Sequence, residues 1–177
     1  MNPNFEHLPE SWSIRSLGEF VAERSVGIVP NKTPDEFFEL YSVPSHESGS
    51  PEIVSGKEIG SNKQIVEEGT VLLCKINPRI NRTWVVSSFS RHQKIASTEW
   101  ITFPSSVAFD PKFLSYYLRQ DSLREFLSAN ASGVGGSLMR VKPSTIKVIY
   151  LHFSGHTNYP NGNRRCVHGQ SQIRSRF

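Results

Sequence analysis

Apolar residues come in short runs through the first hundred positions and at helical spacing after them. The strongest run is Val71–Cys74, launched by Gly69 and followed at once by Lys75-Ile76-Asn77-Pro78-Arg79-Ile80-Asn81-Arg82. Trp84–Val86 and Trp100–Phe103 come next, built from the aromatic and β-branched types that favour strands. Upstream, Phe37–Val43 predicts a strand, and Ile53–Ile59 an extended piece closed by Gly60. Trp12, Ile14 and Leu17 suit a short strand and turn that pin the N-terminal part to the core, and 21–30 continues as loop or strand. Residues 31–36 read as a turn in which Pro34 restricts Thr33, and 45–51, with Gly49 and Pro51, as a loop. Ala96-Ser97-Thr98 reads as a turn closing a basic loop that carries Arg91 and Lys94.

After residue 103 the period lengthens. Asp110 is a good N-cap and Pro111 a good first helical residue, with Phe113, Leu114, Tyr117 and Leu118 on one face. Asp121-Ser122 can cap a second helix carrying Leu123, Phe126 and Leu127. A glycine-rich connection runs from Gly133 to Pro143, then Ser144–Lys147 suits one capped turn and Val148–Leu151 a last strand. The fold class expected is α+β: mixed, mostly antiparallel β with a helical segment near residues 111–130. Residues 1–149 form one domain in this reading and 150–177 a tail, and no internal repeat is visible.

Composition changes little in this picture but charge does. At 177 residues with 37% hydrophobic and 20% charged positions, the chain suits one soluble domain with its own core. The net charge of +4 belongs to the tail: residues 150–177 hold four arginines and no acid, which leaves sixteen basic and sixteen acidic residues before them. Affinity for a polyanion must therefore come from local clustering. Between Glu68 and Glu99 lie five Lys or Arg residues and no acid. The first residues lack the basic and apolar pattern of a signal peptide, and no apolar stretch approaches the ~20 residues of a membrane helix. Two cysteines, Cys74 and Cys166, make no disulfide framework, so a reducing, cytoplasmic setting is expected, with Cys74 buried in its strand.

Five residues of the central stretch, Lys75, Arg79, Arg82, Arg91 and Lys94, are the leading candidates for contact with DNA. Lys and Arg supply most phosphate contacts, and Arg can also grip guanine through two hydrogen bonds. Pro78 stiffens the loop that presents Arg79. Arg79 and Arg82 are expected to read bases, and Lys75 to position the backbone. In the glycine-rich connection Ser137, Arg140 and Lys142 are candidate backbone contacts. That connection lacks the Gly-Lys-Ser/Thr ending of a nucleotide loop, which argues against an ATP site. Ser137 sits in no nucleophile elbow, and no Asn/Asp-Pro-Pro-aromatic stretch of a DNA adenine methyltransferase is present. His7, His46 and His92 are scattered, and Cys166-x-His168 has no second pair to complete a zinc site. No catalytic or metal residue is expected. On the residues alone a small nucleic-acid hydrolase and a protein-interaction domain stay open as other classes.

A set of ordered motifs narrows this further. Leu8-Pro9-Glu10-Ser11-Trp12, Leu17-Gly18-Glu19, Ser55-Gly56-Lys57-Glu58-Ile59 and Gly69-Thr70-Val71-Leu72-Leu73 followed by Lys75 make its first half. Ala96-Ser97-Thr98 before a strand, Tyr116-Tyr117-Leu118, and 133–143 ahead of Ile146 make its second. In that order, over roughly residues 8–149, the chain resembles one target recognition domain of a type I restriction-modification specificity subunit. The resemblance implies a non-catalytic DNA-binding module that reads one half of a split double-stranded target. It also implies partner methyltransferase and restriction subunits, with AdoMet, ATP and magnesium held on those partners and none in this chain. Members of that family usually carry two such domains separated by long helices, whereas this chain shows one domain and no heptad-like helix.

The family pattern also gives an expectation for the tail. Its members follow the last strand with a proline-rich stretch, then Gln and, three residues on, Ile. Read one base late, the codons of Thr157-Asn158 can give Pro, those of Pro160-Asn161 Gln, those of Gly162-Asn163 Glu, and those of Asn163-Arg164 Ile or Thr. A truncated or frameshifted C-terminus is therefore expected, with 150–177 disordered and protease-sensitive.

Overall fold

The four apolar residues Val71–Cys74 form a strand whose two faces are both covered, and the other elements are layered around it. The computed structural model describes residues 12–133 and 139–154. In chain order the strands are β1 (Trp12–Ser16), β2 (Gly27–Ile28), β3 (Phe37–Tyr41), β4 (Glu52–Ser55), β5 (Lys63–Ile65), β6 (Val71–Cys74), β7 (Thr83–Val85), β8 (Gln93–Ser97), β9 (Trp100–Phe103) and β10 (Tyr150–Ser154). The helices are α1 (Pro111–Leu118), α2 (Asp121–Ala129) and α3 (Pro143–Ile146). A three-stranded antiparallel sheet runs β7-β6-β9, a five-stranded sheet runs β2-β5-β8-β3-β4, and β1 pairs with β10. Only the β3–β8 pair is parallel among these, so the expected α+β class with mostly antiparallel sheet is what the chain adopts.

Side-chain alternation explains the layering. On β6, Val71 and Leu73 pack with the helices, in a cluster with Ile101, Phe103, Leu114, Leu118, Leu123 and Leu127. Leu72 and Cys74 point the other way, into a cluster with Tyr41, Val86, Ala96 and Trp100. On β3, Phe38 and Leu40 join Ile59 and Ile95 on the outer side of the five-stranded sheet, while Tyr41 joins the β6 side. A strand apolar at every position is thus read by both layers, as buried sheets require. Among the described residues no helix is long and apolar enough to cross a membrane.

Local chemistry starts and stops these elements where it was expected to at several points. Asp110 Oδ1 accepts from the backbone N–H of Lys112 and Phe113 at 2.8 and 3.1 Å, and Pro111 opens α1. Gly69, at φ +80°, makes the turn that launches β6. At Gly56 a Cβ would stand 2.3 Å from the Thr33 carbonyl oxygen, so only glycine lets these two loops touch.

Several boundaries differ from expectation. The extended piece from Ile53 ends at Ser55, because the Ser55 N–H and hydroxyl both donate to Glu58 and fold 56–58 into a 3-10 turn. Residues Pro44–Ser48 form a 3-10 turn rather than an open loop, tied by Ser42 and Ser45 hydroxyls. Ala96 and Ser97 belong to β8, so the turn shrinks to 98–99 and Lys94 lies on a strand, not in a loop. Both later helices start without the expected cap: Gln120 precedes α2 and Lys142 precedes α3, neither with a side-chain capping bond. Finally, the last strand, expected over Val148–Leu151, is β10 over Tyr150–Ser154, paired with β1. The rest of the expected tail, and its proposed change of frame, lie outside the described residues.

Candidate nucleic-acid interface

The loop 75–82 is built by its main chain. Lys75 N–H donates to the Glu99 carbonyl (3.0 Å) and the Lys75 carbonyl accepts from Val141 N–H (2.9 Å). Asn77 N–H reaches the Met139 carbonyl at 2.8 Å, and Cys74 N–H closes the loop on the Arg82 carbonyl at 3.0 Å. Asn77 and Asn81 sit at φ +50° and +49°, a left-handed conformation that asparagine tolerates better than other non-glycine residues. Between them Pro78 is buried, while Arg79 and Ile80 stand out from the tip. Among the described residues no side-chain hydrogen bond or ion pair engages the Arg79 guanidinium.

Beside this loop runs the segment 139–142. Arg140 is bridged to Ile76 on one side and to Ser132 on the other, with both Ser132–Arg140 backbone hydrogen bonds at 2.9 Å. Lys75, Arg79 and Arg140 therefore lie on two segments tied together by their backbones, and exposed Lys142 follows at the start of α3. Arg140 is partly neutralised, since its Nη2 donates to Glu99 Oε1 at 2.9 Å. Ser137, the other candidate of this connection, lies outside the described residues. An open cleft of about 490 Å³ is lined by Ile76 and Glu99, with Glu52 and Glu58 also lining it. Those carboxylates limit the positive area on that side.

The other three candidates are not presented in the expected way. Arg82 leaves only 14% of its side chain exposed and lies 3.8 Å from Glu47. It also acts on the Cys74 thiol, which burial pushes up against the pull of that guanidinium. Lys94, likewise 14% exposed, turns inward: its Nζ is 3.5 Å from Glu39 and donates to the Ser90 carbonyl at 3.1 Å. Arg91 is exposed, on the loop leaving the opposite end of the β6–β7 hairpin from Arg79.

Sequence reasoning missed the group that holds that second loop. Glu39 is fully buried, yet it lies in a strand of aromatic and aliphatic residues. Its Oε2 accepts from the Ser90 N–H and the Ser90 hydroxyl, both at 2.7 Å, and its Oε1 accepts from the Tyr41 hydroxyl at 2.7 Å. Tyr41 Oη in turn accepts from the Ser87 N–H at 3.0 Å. Burial pushes the Glu39 carboxyl up, but the hydrogen bonds from Ser90 and Tyr41, with the charge of Lys94, outweigh it and hold the group below its ordinary range. The Tyr41 phenol is pushed up to about 12, chiefly by burial, so it remains a donor at neutral pH. A lone acid inside Phe37-Phe38-Glu39-Leu40-Tyr41 was the signal that could have found this arrangement.

No model of a known protein family matches the chain, and no curated protein matches its sequence. Solved structures do. A chain from work on the complex assembly and conformational transition of the type I R-M system superposes with a TM-score of 0.67 at 22% identity, over 83% of this chain and 39% of that one. The HsdS subunit from Thermoanaerobacter tengcongensis gives 0.68 at 20% identity, over 86% and 40%. The type I restriction-modification S subunit from M. genitalium gives 0.50 at 13%, over 88% and 37%. These likenesses establish a shared fold, and the chain spans about two fifths of the length of each of these proteins.

Proposed function

We propose that this chain is the DNA sequence-recognition module of a type I restriction-modification system. It reads one half of a split duplex target and directs methyltransferase and restriction subunits to it. The observation that carries this reading is the joining of Lys75, Arg79 and Arg140 on two backbone-tied segments, within a fold shared with S subunits. Arg79 is the base reader, because it is exposed at the tip of a loop with a stiff base. Lys75, Arg140 and Lys142 contact phosphates, and Ser137 adds a backbone contact. Arg82 and Lys94 act from within, bound as they are to Glu47 and Glu39. The module has no catalytic role in this reading. AdoMet, ATP and magnesium belong to the partner subunits.

Selection of duplexes from a randomised pool by the full chain tests this. Enrichment of a defined half-site is expected, with affinity that falls steeply as salt rises. Arg79→Ala should weaken the enriched duplex by about 1–3 kcal/mol and leave unrelated duplexes much less affected. Absence of any enriched sequence overturns the reading, and turnover of nucleic acid by the chain would support a hydrolase instead.

A further inference from the structure

The loop 87–92 is better anchored than a connection between two strands needs to be. Its Ser87 and Ser90 amides are not left to solvent but end on the Tyr41 hydroxyl and the Glu39 carboxylate, both on the inner side of β3. Main-chain amides of a surface loop can bond to water at little cost, so burying a carboxylate to hold them is costly unless the loop's position matters. The loop carries exposed Phe89 and exposed Arg91, and its backbone is fixed at Ser90, between the two, and again at Ser87. Lys94 completes the arrangement by neutralising Glu39 at 3.5 Å from the neighbouring parallel strand.

We propose that Glu39 is a positioning residue: with Tyr41 it holds loop 87–92 so that Arg91 is presented as a second, pre-organised DNA contact. The inference rests on the DNA reading above. Arg79 and Arg91 leave opposite ends of the β6–β7 hairpin, and β6 spans roughly 13 Å at ~3.3 Å per residue. The strand between the two loops is thus shorter than one duplex turn of about 34 Å, and the proposal requires one duplex to meet both loops. Fixing the loop before binding removes the ordering cost that a mobile arginine would otherwise carry.

A double-mutant cycle on the enriched duplex tests this. The background variant is Glu39→Leu with Lys94→Leu, which removes both charges together and leaves neither buried alone. Arg91→Ala is expected to weaken binding about tenfold in the wild-type background and less than twofold in the released one. Trypsin should also cut after Arg91 faster in the released variant. Tyr41→Phe, a gentler change that removes the Ser87 anchor and one hydrogen bond to Glu39 but keeps the Ser90 anchor, should shift both readouts the same way and by less. An equal effect of Arg91→Ala in both backgrounds overturns the proposal, since Glu39 would then be structural only. So does unchanged cleavage at Arg91. Arg79→Ala serves as the control: if it weakens binding while Arg91→Ala does not, the DNA reading stands and this proposal falls.

Discussion

The two loops that leave the β6–β7 hairpin both carry exposed arginine, and they are held in different ways. Loop 75–82 is fixed by its backbone: hydrogen bonds to Met139, Val141 and Glu99, and asparagines at positive φ. Loop 87–92 is fixed by side chains of one strand, β3, which reach it across 51 residues of sequence from Glu39 to Ser90. Backbone anchoring survives most side-chain changes, because the bonding atoms are present in every residue. Side-chain anchoring concentrates the same task in one buried carboxylate, so it fails at a single position and responds to pH. The comparison also separates the basic residues by role, since a cation that neutralises a buried acid is not free to meet a phosphate.

The largest expected effect follows from that concentration. Glu39→Ala leaves the Lys94 ammonium without its carboxylate and the Ser90 amide without its acceptor, and should destabilise the fold by about 3–5 kcal/mol in urea unfolding. A loss under about 1 kcal/mol would mean that the carboxylate is not holding this region. Lys94→Ala is expected to cost less, about 1–3 kcal/mol, because Glu39 keeps its bonds from Ser90 and Tyr41. Its affinity for DNA per folded molecule should stay within twofold of wild type. A drop equal to that of Arg79→Ala would return Lys94 to the interface.

Acid should act on one loop and spare the other. A carboxyl held below its ordinary 4.5 gives its full stabilisation above that value and loses it as pH falls through the folded pKa. The urea midpoint should therefore fall in acid, and fall less steeply in Glu39→Gln. Superimposable pH profiles for the two proteins would exclude Glu39 as the source. The smallest effect is expected in the backbone-held loop. Asn81 has φ +49°, and both polar atoms of its amide are buried without a hydrogen-bond partner among the described residues. Asn81→Gly relieves both features, so stability should move by less than about 1 kcal/mol. A loss of several kcal/mol would show that the asparagine amide has an essential partner.

Much of the fold was legible in the chain because its signals are short-range. Val71–Cys74 and Trp100–Phe103 are strands over the expected residues, since runs of apolar and β-branched residues need no distant information to favour extended backbone. Asp110-Pro111 opens α1 for an equally local reason: the cap and the first turn it satisfies are adjacent in sequence. The 3-10 turns differ from the strand and loop that the sequence predicts for a reason that is also local. Ser55 and Glu58 close a turn over three residues, inside a stretch whose apolar content suggested a longer strand.

What tertiary structure alone decided is the fate of the charges. Gln93 and Lys94 look like loop residues, yet they form β8 because β3 pairs with both of them and the Val66 N–H reaches the Lys94 carbonyl from the other side. Arg79 and Arg82 are nearly equivalent in sequence, but one stands in solvent while the other lies against Glu47 and Cys74. A side chain's charge is fixed by its chemistry, whereas its availability depends on which groups pack around it. Those groups come from segments far along the chain, so the sequence by itself determined where the positive charge is concentrated, and packing determined which of it faces outward.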